Sequence, residues 1–424
     1  MFEDVNLAID HNQLLMDLMD EVAKKHGFRV LLHEKPFAGI NGSGKHNNWS
    51  LITNTGVNLL SPGDDPDSDF LFLTIFINTI KAVHDNADII RASIASASND
   101  HRLGANEAPP AIISVFVGST LTKVLEAFAS DSKSTKDDSN RSILIDKIPE
   151  ILADNTDRNR TSPFAFTGNK FELRAVGSCS NSAQPMTVLN SAVANQLINF
   201  KTNVDAKIKG GKSKKQAIVS TLKDELKASQ NILFEGNNYS DSWAEEAERR
   251  GLSNIKNTPE SLNAYISDQA IETFVNNNIF TKEELHARYE IMLEEYIKKI
   301  QIEGRVLADL VYTTVIPPSI EYLTTLAKNV RTLKKAGMET GDAQRHIINR
   351  ISVHIDEAKQ LTDAMVEARK RANKEDNTEK QAIMYCKEVK ELFDQIRYHS
   401  DKLEQLVNDK LWQLPKYREL LFIK

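Results

Sequence analysis

Residues 33–50, HEKPFAGINGSGKHNNWS, concentrate residue types that bind charged ligands. Three glycines in this stretch let the backbone turn sharply and approach a ligand closely. Residues 45–48 then place an ammonium group, an imidazole and two amides in the same segment. Strand patterns at 28–34 and 49–53 predict a strand–loop–strand unit that holds a metal and a phosphorylated ligand. The alternative interpretation is a polar hairpin loop.

Residues 39–46 nearly match the phosphate-binding motif G-x-x-x-x-G-K-[ST]. His46 occupies the place of the serine or threonine that binds magnesium, and a strand pattern follows where that motif needs a helix. Because the phosphate cradle of the motif depends on a helix N-terminus, the sequence argues against this kind of site.

Two further segments carry similar chemistry. Residues 99–110, NDHRLGANEAPP, place Arg102 and Glu107 in one loop. Residues 154–178 begin with an arginine-rich run that includes Arg160. Arginine presents a planar fork of donors that suits phosphate or carboxylate groups.

The end of the third segment alternates charged and apolar residues. On a strand, Lys170, Glu172 and Arg174 would share one face, while Phe171 and Leu173 would face the core. This pattern alone is also typical of a cross-strand salt-bridge ladder. A glutamate among cations suits magnesium, so the three segments together predict metal-assisted phosphoryl transfer.

Composition limits the possible classes of protein. The 424 residues exceed one ordinary core, and 26% charged with 41% hydrophobic residues is typical of a soluble globular protein. A net charge of −6 argues against nucleic-acid binding. Two cysteines cannot build a disulfide framework, and the longest apolar run, 70–83, is too short to span a bilayer. We therefore predict a cytoplasmic protein without a membrane or nucleic-acid partner.

The predicted secondary structure changes near residue 300, from mixed helices and strands to helices. Helical apolar spacing occurs at 14–22 and 186–200, and Thr281 with Glu284 predicts a capping box ahead of a long helix. From there the pattern is almost entirely helical, with a predicted break at Pro317-Pro318. We predict an α+β domain at 1–300, with a curved, mainly antiparallel sheet backed by helices, and a helical domain at 301–424.

With these motifs in view, the chain resembles glutamine synthetase, and specifically the C-terminal part of its large type III form. NGSGKHNNWS is similar to the asparagine–glycine–histidine signature of that family. NDHRLGANEAPP resembles its glutamate-flap segment, and DRNRTSPFAFTGNKFELRAVGS resembles its arginine-rich and metal-glutamate strands. The resemblance implies the catalytic fold of the family, followed by the helical extension of type III.

The resemblance also implies a reaction. The γ-carboxylate of glutamate attacks the γ-phosphate of ATP, and ammonia then displaces phosphate from γ-glutamyl phosphate to give glutamine. Asn41, Gly42, Arg102 and Arg174 would bind glutamate. Glu107 would close over the site and help to take a proton from ammonium.

Further roles are implied for the nucleotide and the metal, Mg²⁺ or Mn²⁺. The implied nucleotide-binding residues are Asn48, Ser50 and Lys170. The implied metal ligands are His46, Glu172 and Glu3. Arg160 would neutralise the transferring phosphate, whereas Ala165 stands where shorter forms of the enzyme carry another arginine.

The family pattern is not complete in this chain. Its N-terminal β-grasp domain and its glutamate-x-glutamate strand are not found, so we expect the C-terminal portion of an enzyme that is inactive alone. The resemblance further implies a homo-oligomeric ring. Two alternatives remain open: a non-catalytic assembly or regulatory subunit with the same fold, and a related γ-glutamyl-amine ligase.

Overall fold

The computed structural model describes residues 3–37, 39–63, 66–106, 108–129, 162–238, 240–338, 341–416 and 419. The chain divides into two compact units, Met1–Tyr289 and Glu290–Lys424. The assignment of a catalytic domain to 1–300 and a helical domain to 301–424 stays a prediction.

The first unit contains a small mixed sheet. Its strands, within the described residues, are β1 (Gly44–Trp49), β2 (Val115–Phe116), β3 (Phe164–Phe166) and β4 (Phe171–Gly177). The strand order is β1-β4-β3-β2; β4 pairs antiparallel with both β1 and β3, and β3 pairs parallel with β2. This sheet, backed by many helices, confirms the predicted α+β class.

Helices precede, separate and follow the four strands along the chain of the first unit. They are α1 (Val5–Lys25), α2 (Pro66–Asp85), α3 (Ala87–Ser93), α4 (Asn99–Arg102), α5 (Ser119–Ala129), α6 (Ala183–Lys209), α7 (Lys214–Ser229), α8 (Asp241–Arg249), α9 (Thr258–Leu262) and α10 (Asp268–Ala270). The helix α10 continues as a π-helical turn at Ile271–Val275. The helices predicted at 14–22 and 186–200 are therefore confirmed within α1 and α6.

A cluster of phenylalanines joins α2 to the sheet. The rings of Phe164 and Phe171 stack with centroids 4.5 Å apart, and Phe76 packs edge-on against Phe166 at 4.9 Å. Phe72 adds a contact with Phe76 at 5.3 Å. All five side chains are buried. Because β-strand side chains alternate, the burial of Phe171 turns its neighbour Glu172 away from this cluster.

The strands predicted at 28–34 and 49–53 are wrong in position, and β1 ends at Trp49. Residues 28–34 form no strand; the backbone carbonyls of Leu32 and Glu34 instead accept hydrogen bonds from Ser178 Oγ and the Ser43 amide, respectively. The neighbouring strand β4 already has a partner on each side, so it offers no edge for pairing. Conversely, the polar residues predicted as a loop at 44–48 form most of β1.

The second unit is helical in the described residues. Its helices are α11 (Lys282–Leu310), which begins before the division, α12 (Ile316–Lys335), α13 (Asp342–Ala372), α14 (Thr378–Met384) and α15 (Glu391–Leu406). Two π-helical segments, Val311–Val315 and Tyr385–Lys390, connect some of them. A buried cluster forms its core: Val315, Ile351, Ile355, Leu403, Val407 and Trp412.

The helix is not interrupted at Pro317-Pro318, where a break was predicted. Both prolines lie in the first turn of α12, directly after a π-helical segment. Proline is tolerated there because first-turn amides have no partner within an α-helix. Among the described residues, no helix combines the length and hydropathy required to cross a bilayer.

Removing the cap of α11 is expected to reduce stability modestly. The Thr281 amide donates to Glu284 Oε2 at 2.8 Å, and the Glu284 amide donates to Thr281 Oγ1 at 3.2 Å. Thr281→Ala should lower the free energy of unfolding by about 1 kcal/mol, measured by urea denaturation. Thr281→Ser is the control, since it keeps the hydroxyl. Equal losses in both variants would contradict the capping explanation.

Candidate active site

The candidate site begins at an irregularity between β1 and β4. Lys45 pairs with Val176 and Asn47 pairs with Leu173, so the register shifts between these two residues. His46 therefore faces two residues of β4 instead of one, which is the pattern of a β-bulge. Bulges re-aim side chains next to functional sites, and this one places Arg174 and Ala175 of β4 opposite His46.

His46 and Glu172 meet across this pair of strands. His46 Nδ1 lies 3.3 Å from Glu172 Oε1, and the two side chains are 49% and 20% exposed. Glu172 is paired with Asn48 on β1 and with Ala165 on β3. An imidazole and a carboxylate at this distance, both open to solvent, are suitable ligands for one divalent cation.

The side chain of Arg102 lies beneath β1. Its Nη2 donates to the carbonyl of Arg174 at 2.9 Å, and its Nη1 contacts the carbonyl of Val176 at 3.5 Å. Only glycine fits above it, since a Cβ at Gly44 would lie 2.2 Å from the Arg102 Cζ. With 4% of its surface exposed, Arg102 fastens α4 to the strand pair.

Arg174 is also buried, at 4% exposed. Its Nη2 donates to the carbonyl of Ser162, next to β3. Glu172 and Lys170 remain partly exposed, so the three charged residues predicted to share one strand face differ strongly in their access to solvent. The register shift beside Arg174 accounts for the difference, because a bulge interrupts strict alternation.

The three chemical segments converge in this region. Asn106 Nδ2 donates to the carbonyl of Gly39 at 2.8 Å, which joins the 99–110 segment to the glycine-rich segment. Asn99 Nδ2 donates to the carbonyl of Ala175 at 3.0 Å, which joins the same segment to β4. Asn41 and Gly42 are exposed beside these contacts.

A buried carboxylate that the sequence did not single out lies behind the glycine-rich segment. Glu34 is fully buried, and its Oε1 accepts hydrogen bonds from the amide of Cys179 at 3.1 Å and from its thiol at 3.0 Å. Its backbone carbonyl accepts from the Ser43 amide. Glu34 therefore ties the segment to the end of β4. A carboxylate in the apolar run FRVLLHE was the available signal.

Lys45 lies close to this carboxylate. Burial lowers the pKa of Lys45, and the nearby Cys179 and Glu34 side chains partly oppose this effect. The Lys45 ammonium donates to the Ser180 carbonyl and lies 3.1 Å from Met16 Sδ. Through these contacts, Lys45 connects β1 to α1 and to the residues that follow β4.

The residues predicted to contact nucleotide lie near the end of β1. Ser50 Oγ donates to Asn58 Oδ1 at 2.5 Å, and Asn58 Nδ2 donates to the carbonyl of Asn169 at 2.8 Å. Lys170 Nζ lies 3.4 Å from Asn169 Oδ1, while Asn48 is exposed. Ser50 and Lys170 are thus brought together through Asn58 and Asn169, which are not among the predicted site residues.

A cavity of about 1460 Å³ opens beside β1. Its lining includes His46, Asn48 and Ser50 from β1 and its end, and Asn190 from α6. Glu3 also lines the cavity, but its Oε2 pairs with His11 Nδ1 at 2.9 Å. Glu3 therefore shares the cavity with His46 without joining the His46–Glu172 contact.

Two of the predicted catalytic residues, Glu107 and Arg160, lie outside the described residues. Within the described ranges, no group of three or more His, Cys, Asp or Glu side chains is arranged to hold a metal ion. Among the predicted metal ligands, His46 and Glu172 are the two that lie in contact.

Comparison with known proteins gives matches along the chain. Residues 1–106 match the glutamine synthetase catalytic-domain family model, and residues 217–334 match the glutamine synthetase C-terminal-domain model. Both matches concern regions that the sequence analysis assigned to this family.

Relatives match over all of the chain. A glutamine synthetase of Bacteroides fragilis (strain YCH46) is 48% identical over 433 positions, and one of Butyrivibrio fibrisolvens is 40% identical over 430. A type-3 glutamine synthetase of Dictyostelium discoideum is 40% identical over 436 positions. The chain spans 59%, 60% and 58% of the lengths of these relatives, respectively.

These matches confirm the resemblance identified from the three motifs, and one relative bears the type-3 name. In the structure, residues of the three motifs lie close together around β1 and β4. The chain belongs to the glutamine synthetase family.

Proposed function

We propose that this chain contributes the C-terminal part of an enzyme that ligates ammonia to L-glutamate with ATP, giving L-glutamine through γ-glutamyl phosphate. The contact of His46 with Glu172, at 3.3 Å on adjacent strands, carries this proposal. It brings together two residues 126 positions apart in the chain, next to a cavity that is large enough for a nucleotide.

The donor set suits a hard or borderline divalent cation such as Mg²⁺ or Mn²⁺. His46 and Glu172 would hold it, with water, substrate oxygens or residues beyond the described ranges as further ligands. The bound ion would supply charge neutralisation between two anions, ATP and glutamate. Asn48, Ser50 and Lys170 would then orient the nucleotide from the end of β1.

The remaining residues would handle glutamate and ammonium. Asn41 and Gly42 are exposed, and they would contact glutamate. Arg102 and Arg174 would contribute positive charge from beneath the strands, where low exposure strengthens their field. Glu107 would cover the site and accept a proton from ammonium, and Arg160 would neutralise the transferring phosphate.

We further propose that the isolated chain does not make glutamine. Its relatives are longer, and the described residues supply two ligands of one metal site. A homo-oligomeric ring in the cytoplasm, as in the family resemblance, is part of this proposal. The apolar side chains of Leu14, Leu15 and Leu18 on α1 support further protein contacts, because about half of each is exposed.

A binding experiment tests the metal assignment directly. Titration of a fluorescent ATP analogue with and without Mg²⁺ should show metal-dependent binding to the chain. Glu172→Ala and His46→Ala should each weaken the metal-dependent part by about tenfold or more, since each removes a ligand. Glu294→Ala, which removes an exposed carboxylate on α11, is the matched control.

The outcomes separate the competing functions. Metal-dependent binding that survives Glu172→Ala unchanged would remove Glu172 from the metal site. Binding of no nucleotide under any condition would favour an assembly or regulatory subunit. Supplied with the remaining part of a full-length relative, the chain should make glutamine from glutamate and ammonium. Turnover with other amines alone would favour a γ-glutamyl-amine ligase.

A further inference from the structure

Two histidines face each other in the second unit. His354 on α13 and His399 on α15 have their Nδ1 atoms 3.0 Å apart, and both rings are half-buried. The Tyr398 ring lies edge-on to both imidazoles, at 6.3 Å from His354 and 5.1 Å from His399. These residues belong to none of the family motifs identified above.

The distance between the two nitrogens is informative. Bonds of about 2.05 Å from both atoms to one ion, at this separation, give an N–metal–N angle of about 94°. This angle is near the right angle between neighbouring ligands in tetragonal coordination, which Cu²⁺ and Ni²⁺ prefer.

We propose that His354 and His399 form a chelating pair for a divalent transition-metal ion, Cu²⁺ in preference to Ni²⁺ and Zn²⁺. Solvent molecules would complete the coordination, because both histidines are partly exposed. The order of metals follows the general affinity series of nitrogen ligands together with the angle at the ion.

The positive charges near the histidine pair affect both the pKa of His354 and the approach of a metal ion. Burial lowers the pKa of His354, and His399, Arg350 and Lys402 lower it further. A neutral imidazole is the form of histidine that binds a metal ion. The same cations, Arg350 from α13 and Lys402 from α15, repel an incoming ion and weaken its binding.

A simple alternative is a hydrogen bond in which one ring donates its proton to the other. Such a bond needs no ion and predicts no dependence of metal binding on either residue. Copper titration in the presence of a competing chelator distinguishes the two arrangements. Electron paramagnetic resonance of the bound Cu²⁺ reports how many nitrogens are coordinated.

The expected result is specific to the pair. His354→Gln and His399→Gln should each remove one Cu²⁺ equivalent from the full chain or weaken its binding about tenfold or more. His346→Gln is the matched control, because His346 is an exposed histidine on the same helix, α13. This control should leave the affinity unchanged.

A further variant keeps both ligands and tests the same site. Lys402 lies 5.3 Å from the Tyr398 ring, and Lys402→Gln should tighten Cu²⁺ binding by removing a nearby positive charge. Full Cu²⁺ affinity in both histidine variants, or a wild-type spectrum without two-nitrogen coordination, would overturn the proposal. Circular dichroism confirms that each variant remains helical.

Discussion

Phe171→Ala is expected to lower the free energy of unfolding of this chain by about 3–5 kcal/mol. The ring is fully buried and stacks on Phe164 at 4.5 Å, while Phe76 and Phe166 contact it at 5.4 and 5.2 Å. Removing it leaves a cavity where α2, β3 and β4 meet. Urea denaturation followed by circular dichroism measures the change.

The same substitution should also disturb the candidate site. Phe171 precedes Glu172 on β4, so its packing fixes the direction of that carboxylate. Phe171→Leu, which retains most of the apolar volume, should cost less than half as much. Phe28→Ala is the surface control, since 58% of Phe28 is exposed. Comparable losses at positions 28 and 171 would contradict the proposed core.

Gly44→Ala is expected to cost about 3–5 kcal/mol, because a methyl group at this position overlaps Arg102. The added Cβ would lie 2.2 Å from Arg102 Cζ and Nη2, and this guanidinium is buried and bonded to the Arg174 carbonyl. Either the arginine leaves its place or β1 moves away. Thermal and urea unfolding measure the loss, and metal-dependent nucleotide binding should fall with it.

A double-mutant cycle identifies the cause of this loss. If the overlap with Arg102 is responsible, Gly44→Ala should cost much less in an Arg102→Ala background. Gly210→Ala is the control, because its nearest neighbours would lie at an ordinary 3.4 Å. Additive effects of the changes at 44 and 102 would rule out the overlap as the source.

These two positions explain how the fold arranges the site. Phe171 belongs to the apolar face of β4, and Gly44 provides the close approach that lets Arg102 pass beneath β1. The exposed pair, His46 and Glu172, depends on both. Changes far from the reacting groups can therefore alter metal binding through the strand pair.

The amino-acid sequence by itself determined the family, the α+β class and several of the helices. Three ordered motifs identified the family, and helical apolar spacing predicted α1, α6 and α11, with the Thr281–Glu284 cap. These features are local: they depend on residue type and spacing over a few turns of chain. They could be predicted before any contact between distant residues was known.

Only the tertiary structure decided the register at the candidate site. The strand GKHNNW lacks an apolar alternation, and its pairing with β4 depends on residues far away in sequence, from Trp49 with Phe171 to Gly44 with Gly177. The bulge opposite His46, the burial of Arg102 and Arg174, and the recruitment of Glu34 follow from that pairing. Strand pairing and burial are non-local, so residue spacing along the chain could not reveal them.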